Sequence, residues 1–246
     1  GLSHTYPGAM APSLRGLDLT VKAGSRVAIV GPSGAGKTTL AHLVRRFWDP
    51  DRERILIDGG DIRLLNLDDL RRSIGVVSQE TSLFSGTIAE NLLLAKPSAS
   101  RSDLEAACRT AEFESTLKAL PEGLDNAIGE RGQRLAGWQR QRLGVARTLL
   151  QEPAILILDE PTAQLDGPTA SRLMKRIFQA FAETTTIHIS HRLMQMEAYD
   201  SIFVIDDGCL VQQGRHAGLM ARRGLYRRLW EAELAGSGRN PDFSTP

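Results

Sequence analysis

The sequence SRVAIVGPSGAGKT at residues 25–38 contains the pattern G-x-x-x-x-G-K-[ST] in full, from Gly31 to Thr38. An apolar run of strand length precedes the pattern, and the helical run TTLAHLVRRF begins with its last residue. In this setting the glycines let the backbone wrap closely around a phosphate, and the N-terminus of the helix adds its dipole. The stretch therefore predicts a phosphate-binding loop between a strand and a helix. The alternative is a glycine-rich turn that happens to contain a lysine.

Four side chains have the chemistry needed to bind a triphosphate: two in this loop and two at the end of a second apolar run. We expect Lys37 to neutralise the β- and γ-phosphate oxygens and Thr38 to place its hydroxyl on Mg²⁺. The run ILIL at 155–158 ends in Asp159 and Glu160. Because ligands bind at the C-terminal ends of strands in such sheets, we expect Asp159 to hold Mg²⁺ through water. Glu160 would then polarise a water that attacks the γ-phosphate; the alternative is a solvated acidic turn.

Strand-like and helix-like runs alternate along the chain, which favours an α/β core with helices on both sides of a sheet. The apolar runs of strand length are residues 25–30, 55–58, 74–78, 154–158, 186–190 and 201–206. Amphipathic helices are predicted over 38–48, with Phe47 on the apolar face, and over 168–182.

The middle of the chain is helical in pattern and poor in strand-like runs. Its predicted helices are 102–111, 114–120 and 139–150. We therefore predict four segments: 1–84 as the first part of the core, 85–150 as an inserted helical subdomain, 151–235 as the second part of the core, and 236–246 as a disordered tail without periodicity.

The composition is that of a globular protein with a hydrophobic core, since 41% of the 246 residues are hydrophobic and 24% are charged. A formal net charge of +1 gives no global basic field to argue for nucleic acid. The two cysteines, Cys108 and Cys209, fit no metal-ligand spacing and indicate a reducing, cytosolic setting. No signal peptide and no apolar run long enough to span a bilayer is present. The chain opens with Gly1 rather than methionine, so we expect a fragment of a longer protein.

Taken together, these motifs resemble the nucleotide-binding domain of an ATP-binding-cassette (ABC) transporter, over nearly the whole chain. Residues 31–39 are similar to the Walker A loop and 155–160 to the Walker B strand. Gln79 matches the Q-loop glutamine, a ligand of Mg²⁺ and water, and His191 matches the switch histidine that contacts the γ-phosphate. Tyr6 matches the aromatic residue that stacks on adenine. The resemblance thus implies a nucleotide-binding set of Tyr6, Gly31, Pro32, Ser33, Gly34, Ala35, Gly36, Lys37, Thr38, Thr39, Gln79 and Asp159.

The resemblance implies a P-loop NTPase fold with a mostly parallel central sheet, an antiparallel N-terminal β subdomain and an inserted helical subdomain. It implies an ATPase that uses ATP and Mg²⁺, with Thr38, Gln79 and Asp159 (through water) at the metal and Lys37, Glu160 and His191 in catalysis. The implied partners are a transmembrane domain and a second nucleotide-binding domain, without nucleic acid. The implied location is the cytoplasmic face of the cell membrane, the fragment itself being soluble.

Two segments resemble the segments that contact the transmembrane domain in exporters of this family. They are FSGTIAENL at 84–92 and GERG at 129–132. Three further segments resemble segments of the bacterial heterodimeric exporters of thiol compounds that serve cytochrome bd assembly. They are the run 189–192, the later MEAYD and GLYRRLWE. We therefore expect an exporter, with the thiol type as a narrower possibility.

The stretch LAGWQ stands where the family has its LSGGQ signature, which caps the ATP held by a partner domain. The corresponding residues are Leu135, Ala136, Gly137, Trp138 and Gln139. Ala136 lacks the hydroxyl that would bind γ-phosphate, and the ring of Trp138 could obstruct it. If the turn needs a positive φ at Trp138, the residue would cost about 1–2 kcal/mol there.

A complete set of ATP-site residues beside an altered signature predicts a heterodimer with unequal ATP sites. The segment AQLD at 163–166, where the family usually has SALD, lies at the same implied interface. The alternatives are a homodimer with a weakened cap and a regulatory half that binds ATP with little hydrolysis. A DNA-repair or chromosome-structure ATPase would need a long coiled coil between loop and signature, and a translation factor would need two cassettes.

Overall fold

A computed structural model of the protein describes residues 1–78, 81–162, 165–193 and 195–236. The chain forms two compact units. One unit comprises Gly1–Leu70 together with the residues from Ile187 onward, and the other comprises Arg71–Thr186. The predicted borders at 84/85 and 150/151 stay a prediction of functional organisation. The predicted tail lies outside the described residues, apart from Gly236, which ends a helix.

The first unit contains a mixed sheet. Strand β3 (Arg26–Val30) runs parallel to β9 (Ser201–Asp206), and β9 runs antiparallel to β10 (Cys209–Gly214). The central residues of β3 and β9 are buried apolar side chains without polar alternation, as expected of strands covered on both faces.

Short antiparallel strands form the N-terminal part of this unit. Strand β1 (Leu2–His4) pairs with β2 (Leu14–Leu17), and β4 (Leu56–Ile57) pairs with β5 (Gly60–Asp61). The strand predicted over 55–58 is therefore shorter than expected. It ends before Asp58, whose φ of 50° lies in the left-handed region.

Helix α1 (Lys37–Val44) follows the glycine-rich loop. Its predicted extension to residue 48 is wrong, because Arg46 adopts a left-handed φ of 53° and stops the helix. Phe47 is consequently 44% exposed and is not on a buried helical face. The C-terminal helices of this unit are α8 (His216–Met220) and α9 (Leu225–Gly236). Helix α2 (Leu67–Ser73) carries the chain from the first unit into the second.

The second unit contains two parallel strands and a set of helices. Strand β6 (Ile74–Ser78) pairs with β7 (Ile155–Asp159) in a register that sets Ser78 opposite Asp159. The helices are α3 (Ile88–Leu93), α4 (Arg101–Thr110), α5 (Glu114–Ala119), α6 (Gly137–Gln151) and α7 (Gly167–Ala180). Strand β8 (Thr185–Ile189) leads back to the first unit. The helices predicted in the middle of the chain are present, with ends shifted by one or two residues.

Candidate nucleotide site

The glycine-rich loop after β3 is packed so tightly that two of its glycines admit no side chain. A Cβ on Gly31 would lie 1.9 Å from the carbonyl oxygen of Ile205 in β9. A Cβ on Gly36, whose φ is +98°, would lie 2.5 Å from the carbonyl oxygen of Ser13. The loop therefore turns closely between β9 and the segment before β2, and these two glycines keep its backbone bare there. Such a bare backbone cradle suits a phosphate.

Lys37 is the first residue of α1, and its side chain folds back over this loop. Its Nζ atom donates hydrogen bonds to the carbonyl oxygens of Gly31 (2.9 Å) and Pro32 (2.7 Å). The residue is only 7% exposed. Gly36, the N-cap, supplies no side-chain acceptor to the first turn of α1, so the N–H groups of that turn remain suited to an anion. The loop thus presents a buried ammonium and a helix N-terminus together.

His191 follows β8 at the same edge of the first unit as this loop. The backbone N–H of Ser190 donates to the carbonyl oxygen of Ile29 at 3.1 Å, which sets the end of β8 beside the end of β3. The Ser190 hydroxyl accepts from the N–H of Arg192 and donates to its carbonyl oxygen. These bonds fix the turn that carries the exposed His191. The structure therefore brings the predicted switch histidine and the phosphate-binding loop to adjacent strand ends.

Tyr6 packs against the helix that carries Lys37. Its hydroxyl lies 3.4 Å from Oγ1 of Thr39 and 3.3 Å from Nδ1 of His42. The rings of His4 and Trp48 lie nearly perpendicular to the tyrosine ring, with centroids 5.0 and 5.7 Å away. The N-terminal aromatic residue and the loop are thus parts of one local structure, although about thirty residues separate them in sequence.

Asp159 and Glu160 lie at the C-terminal end of β7 in the second unit, where the sequence predicted them. The three residues of β7 before Asp159 are buried and apolar, whereas both acids are half-buried. Glu160 has a φ of 51°, a conformation that is uncommon for a residue with a side chain and that clusters at functional sites. Ser78, opposite Asp159, directly precedes the predicted Gln79. Gln79 itself lies outside the described residues, as do Ala163 and Gln164 of the AQLD segment.

The altered signature begins helix α6, and this corrects one expectation. Ala136 is the N-cap with φ −63° and ψ 159°, and Trp138 lies in the first helical turn. Trp138 is not among the residues with positive φ, so no left-handed strain arises there. The ring is 40% exposed, and the guanidinium of Arg142, one turn later, lies 5.0 Å from its centroid. Gln139 accepts a hydrogen bond from the N–H of Ala136 at 2.7 Å and so closes the turn.

Arg142 belongs to an ion-pair cluster that the sequence did not reveal. Its Nη1 donates to the carbonyl oxygen of Glu112 at 2.7 Å, and its Nη2 lies 3.3 Å from Oε2 of the same residue. The other carboxylate oxygen of Glu112 lies 2.8 Å from Nε of Arg176 on α7. One carboxylate between α4 and α5 therefore links the signature helix to α7. The partners are 30 and 64 residues apart in sequence (142 − 112 and 176 − 112), so no local pattern could have indicated them.

Two of the predicted metal ligands, one in each unit, each fit magnesium in their chemistry. The Thr38 hydroxyl and the Asp159 carboxylate are hard oxygen donors of the kind Mg²⁺ prefers. Within the ranges that the structure describes, no group of three or more His, Cys, Asp and Glu residues could hold an ion alone.

A fold of this kind, with a glycine-rich phosphate cradle and two acids after an apolar strand, defines a P-loop nucleotide-binding domain. The model of the ABC transporter family matches residues 14–163. The chain belongs to this family, which confirms the resemblance, the fold class and the enzyme class of ATPase. Membership also implies that the nucleotide is ATP.

Relatives that match the chain include exporters from bacteria. It is 44% identical over 224 residues to an ATM1-type heavy metal exporter from Novosphingobium aromaticivorans, which covers 91% of this chain and 37% of the relative. It is 44% identical over 226 residues to an ATP-dependent lipid A-core flippase from Thiobacillus denitrificans, covering 92% and 39%. A solved structure of a bacterial Atm1-family ABC exporter with ATP bound matches with a TM-score of 0.90 and 42% identity, covering 94% of this chain and 40% of that one.

The chain spans about two fifths of the length of these relatives. Among the described residues, no helix has both the length and the hydropathy required to cross a membrane.

Proposed function

We propose that this chain binds and hydrolyses MgATP and that this hydrolysis drives transport by a membrane exporter of which it forms a part. The observation that carries the proposal is the backbone cradle between Gly31 and Gly36 with the buried Lys37 ammonium folded over it. The family and the names of the relatives support the proposal, since each of those relatives is an exporter or an ATP-dependent flippase.

In the proposed reaction, water attacks the γ-phosphorus of ATP while the bond to the β-γ bridging oxygen breaks. Such a reaction depends mainly on positioning and on stabilisation of charge. Glu160 orients and polarises the water, His191 holds the γ-phosphate, and Lys37 offsets charge on the phosphate oxygens. Magnesium, held with the nucleotide by Thr38, Gln79 and Asp159 (through water), would offset further charge on the β- and γ-phosphates. Tyr6 would stack on the adenine.

A direct test of the cradle is the affinity of the chain for MgATP in a Lys37→Ala variant, measured by isothermal titration calorimetry. Loss of a charge-assisted contact to phosphate is expected to weaken binding by at least about 10-fold. Lys22→Ala is the matched control, since Lys22 is an exposed lysine of the same unit. Thermal unfolding of both variants checks that the fold persists. Equal affinity in the two variants would remove Lys37 from the site.

The altered signature supports a heterodimer with unequal ATP sites. In the family pattern the serine and glycines of the signature contact ATP held by the partner, whereas Ala136 has no hydroxyl to donate. The Trp138 ring occupies the first turn of α6, held by Arg142. We infer that a partner with an intact signature caps the ATP of this chain, which is hydrolysed. The signature of this chain would then face a partner site that turns ATP over poorly.

This pairing is tested by comparing the ATPase rate of the full-length transporter assembled from this chain alone with that of mixed assemblies containing a candidate second half. Turnover only in a mixed assembly supports the heterodimer. Equal turnover in the homomeric assembly would show a homodimer that tolerates a weakened cap. ATP binding without turnover in every pairing would instead support a regulatory half.

Exposed residues of the second unit support contact with a transmembrane domain. The Phe84 residue is 62% exposed. Its backbone is nevertheless fixed by the side chain of Asn91, which accepts a hydrogen bond from the Phe84 N–H and donates one to the Phe84 carbonyl oxygen, both at 2.9 Å. Asn91 is buried, so the exposed aromatic ring projects from a fixed backbone. We propose that the segments 84–92 and 129–132 face a membrane domain in the same parent chain, at the cytoplasmic side of the cell membrane. The narrower likeness to thiol exporters stays a prediction.

A further inference from the structure

The contacts of the Tyr6 hydroxyl tie the adenine contact to the helix of the phosphate-binding loop. Thr39 and His42 lie three residues apart on α1, and both reach the hydroxyl, at 3.4 and 3.3 Å. Residues three apart on a helix share one face, so the two groups approach from the same side. Thr39 is buried and belongs to the loop motif, whereas His42 is half-buried and lies beyond it. His42 is therefore the contact that does not itself belong to the phosphate site.

Two aromatic neighbours of Tyr6 lie perpendicular to its ring. The ring of His4 lies at 82° to the tyrosine ring and that of Trp48 at 89°. Both arrangements are T-shaped, so neither of these neighbours stacks parallel to the tyrosine ring. A tyrosine side chain has two rotatable angles, and its hydroxyl lies on the axis of the second. A bond to the hydroxyl therefore restricts the first angle and the place of the ring, whereas the perpendicular neighbours restrict the plane of the ring. The position of the ring therefore depends on what holds the hydroxyl.

We propose that His42 is a positioning residue for nucleotide binding, which holds the Tyr6 ring in the position from which it stacks on adenine. This inference rests on the proposed function, in which Tyr6 contacts the base of ATP. It assigns His42 no contact with the nucleotide. Its imidazole either donates to or accepts from the hydroxyl, depending on the tautomer, and the geometric effect on the ring is the same.

The test compares MgATP with magnesium tripolyphosphate, a probe that has phosphates but no base. Affinities of the full chain are measured by isothermal titration calorimetry. His42→Ala is expected to weaken MgATP binding about 3- to 10-fold, the range for loss of one hydrogen bond, and to leave tripolyphosphate binding unchanged. His42→Asn, which keeps a hydrogen-bonding group near the position of Nδ1, is expected to restore most of the affinity. A purely structural loss in α1 would weaken both probes alike and would overturn the proposal.

Two tyrosine variants separate this inference from the function on which it rests. Tyr6→Phe keeps the ring and removes the hydroxyl, so it should reproduce the loss in His42→Ala, and the double variant should lose no more than either alone. Tyr6→Ala should weaken MgATP binding further. If Tyr6→Ala weakens ATP selectively while His42→Ala does not, the positioning role fails and the adenine contact stands. If Tyr6→Ala leaves ATP affinity unchanged, the adenine contact fails and the positioning role fails with it.

Discussion

Replacing Glu112 by glutamine should destabilise the second unit and loosen the signature helix. The carboxylate of Glu112 is shared by Arg142 and Arg176, and the side chains of Glu112 and Arg142 are only 15% and 13% exposed. Glutamine has nearly the same shape but carries no charge and has one acceptor oxygen in place of two. The substitution therefore removes charge and one acceptor while it changes packing little.

The expected loss can be worked from the two contacts. A contact with a charged group is worth about 1.5–3 kcal/mol where it is shielded from water, and the 3.3 Å ion pair with Arg142 is of this kind. The Arg176 side chain is 51% exposed, and a contact of that kind contributes about 0.2–1 kcal/mol. The bond from Arg142 to the Glu112 carbonyl oxygen survives, and the glutamine oxygen keeps part of one contact. We expect the free energy of unfolding to fall by about 2 kcal/mol.

Urea denaturation followed by circular dichroism measures this change. Glu114→Gln is the matched control, because Glu114 pairs with Lys118 on an exposed helical face at 2.9 Å. That pair should contribute no more than about 0.5 kcal/mol. Iodide quenching of tryptophan fluorescence should also rise in Glu112→Gln, since Arg142 would be held less firmly against the Trp138 ring, by its bond to the carbonyl oxygen of residue 112 without the ion pair. Equal stabilities of the two variants, with unchanged quenching, would refute the reasoning.

Two further predictions concern stability. Burial lowers the pKa of His188 from 6.5 to about 4, so the folded protein keeps this imidazole neutral while the unfolded chain protonates it near its ordinary value. The free energy of unfolding should therefore decline as the pH falls from about 6.5 towards 4, by up to about 1.4 kcal/mol per pH unit. When this free energy is measured by urea denaturation at several pH values, His188→Gln should show a smaller decline over that range. The same decline in the variant and in the unchanged protein would contradict this. Asp166 caps α7 by accepting from the N–H of Thr169 at 3.0 Å, so Asp166→Ala should lower the free energy of unfolding by about 1 kcal/mol, whereas Asp166→Asn should lose less. An asparagine variant as unstable as the alanine variant would argue against the cap.

The phosphate-binding loop and the strand before Asp159 could be predicted because their signals are local. The motif from Gly31 to Thr38 predicts a turn, a phosphate cradle and the start of a helix within eight residues. The apolar runs on either side indicate that a strand precedes it and a helix follows. The same holds for the buried strands β3, β7 and β9, whose apolar runs lack alternation.

Features that depend on backbone dihedral angles or on distant partners could not be predicted. The apolar periodicity of α1 continued through Phe47, and only the left-handed Arg46 shows that the helix had ended. Trp138 looked strained in a glycine-containing turn, yet the chain is already helical there. The contacts of His42 with Tyr6 and of Arg142 with Glu112 join residues that are 36 and 30 positions apart.

The central claim is that Glu160 prepares water for attack on ATP held at the Lys37 loop. The most direct measurement is the steady-state ATPase rate of the full-length transporter, assembled with its partner, in Glu160→Gln and Glu152→Gln variants. Both glutamates have a left-handed φ, 51° and 50°, but Glu152 pairs with Lys96 on the surface. Glu160→Gln should lower kcat by about 10²- to 10⁴-fold with ATP affinity preserved, while Glu152→Gln should leave kcat unchanged. Full turnover in Glu160→Gln would contradict the account.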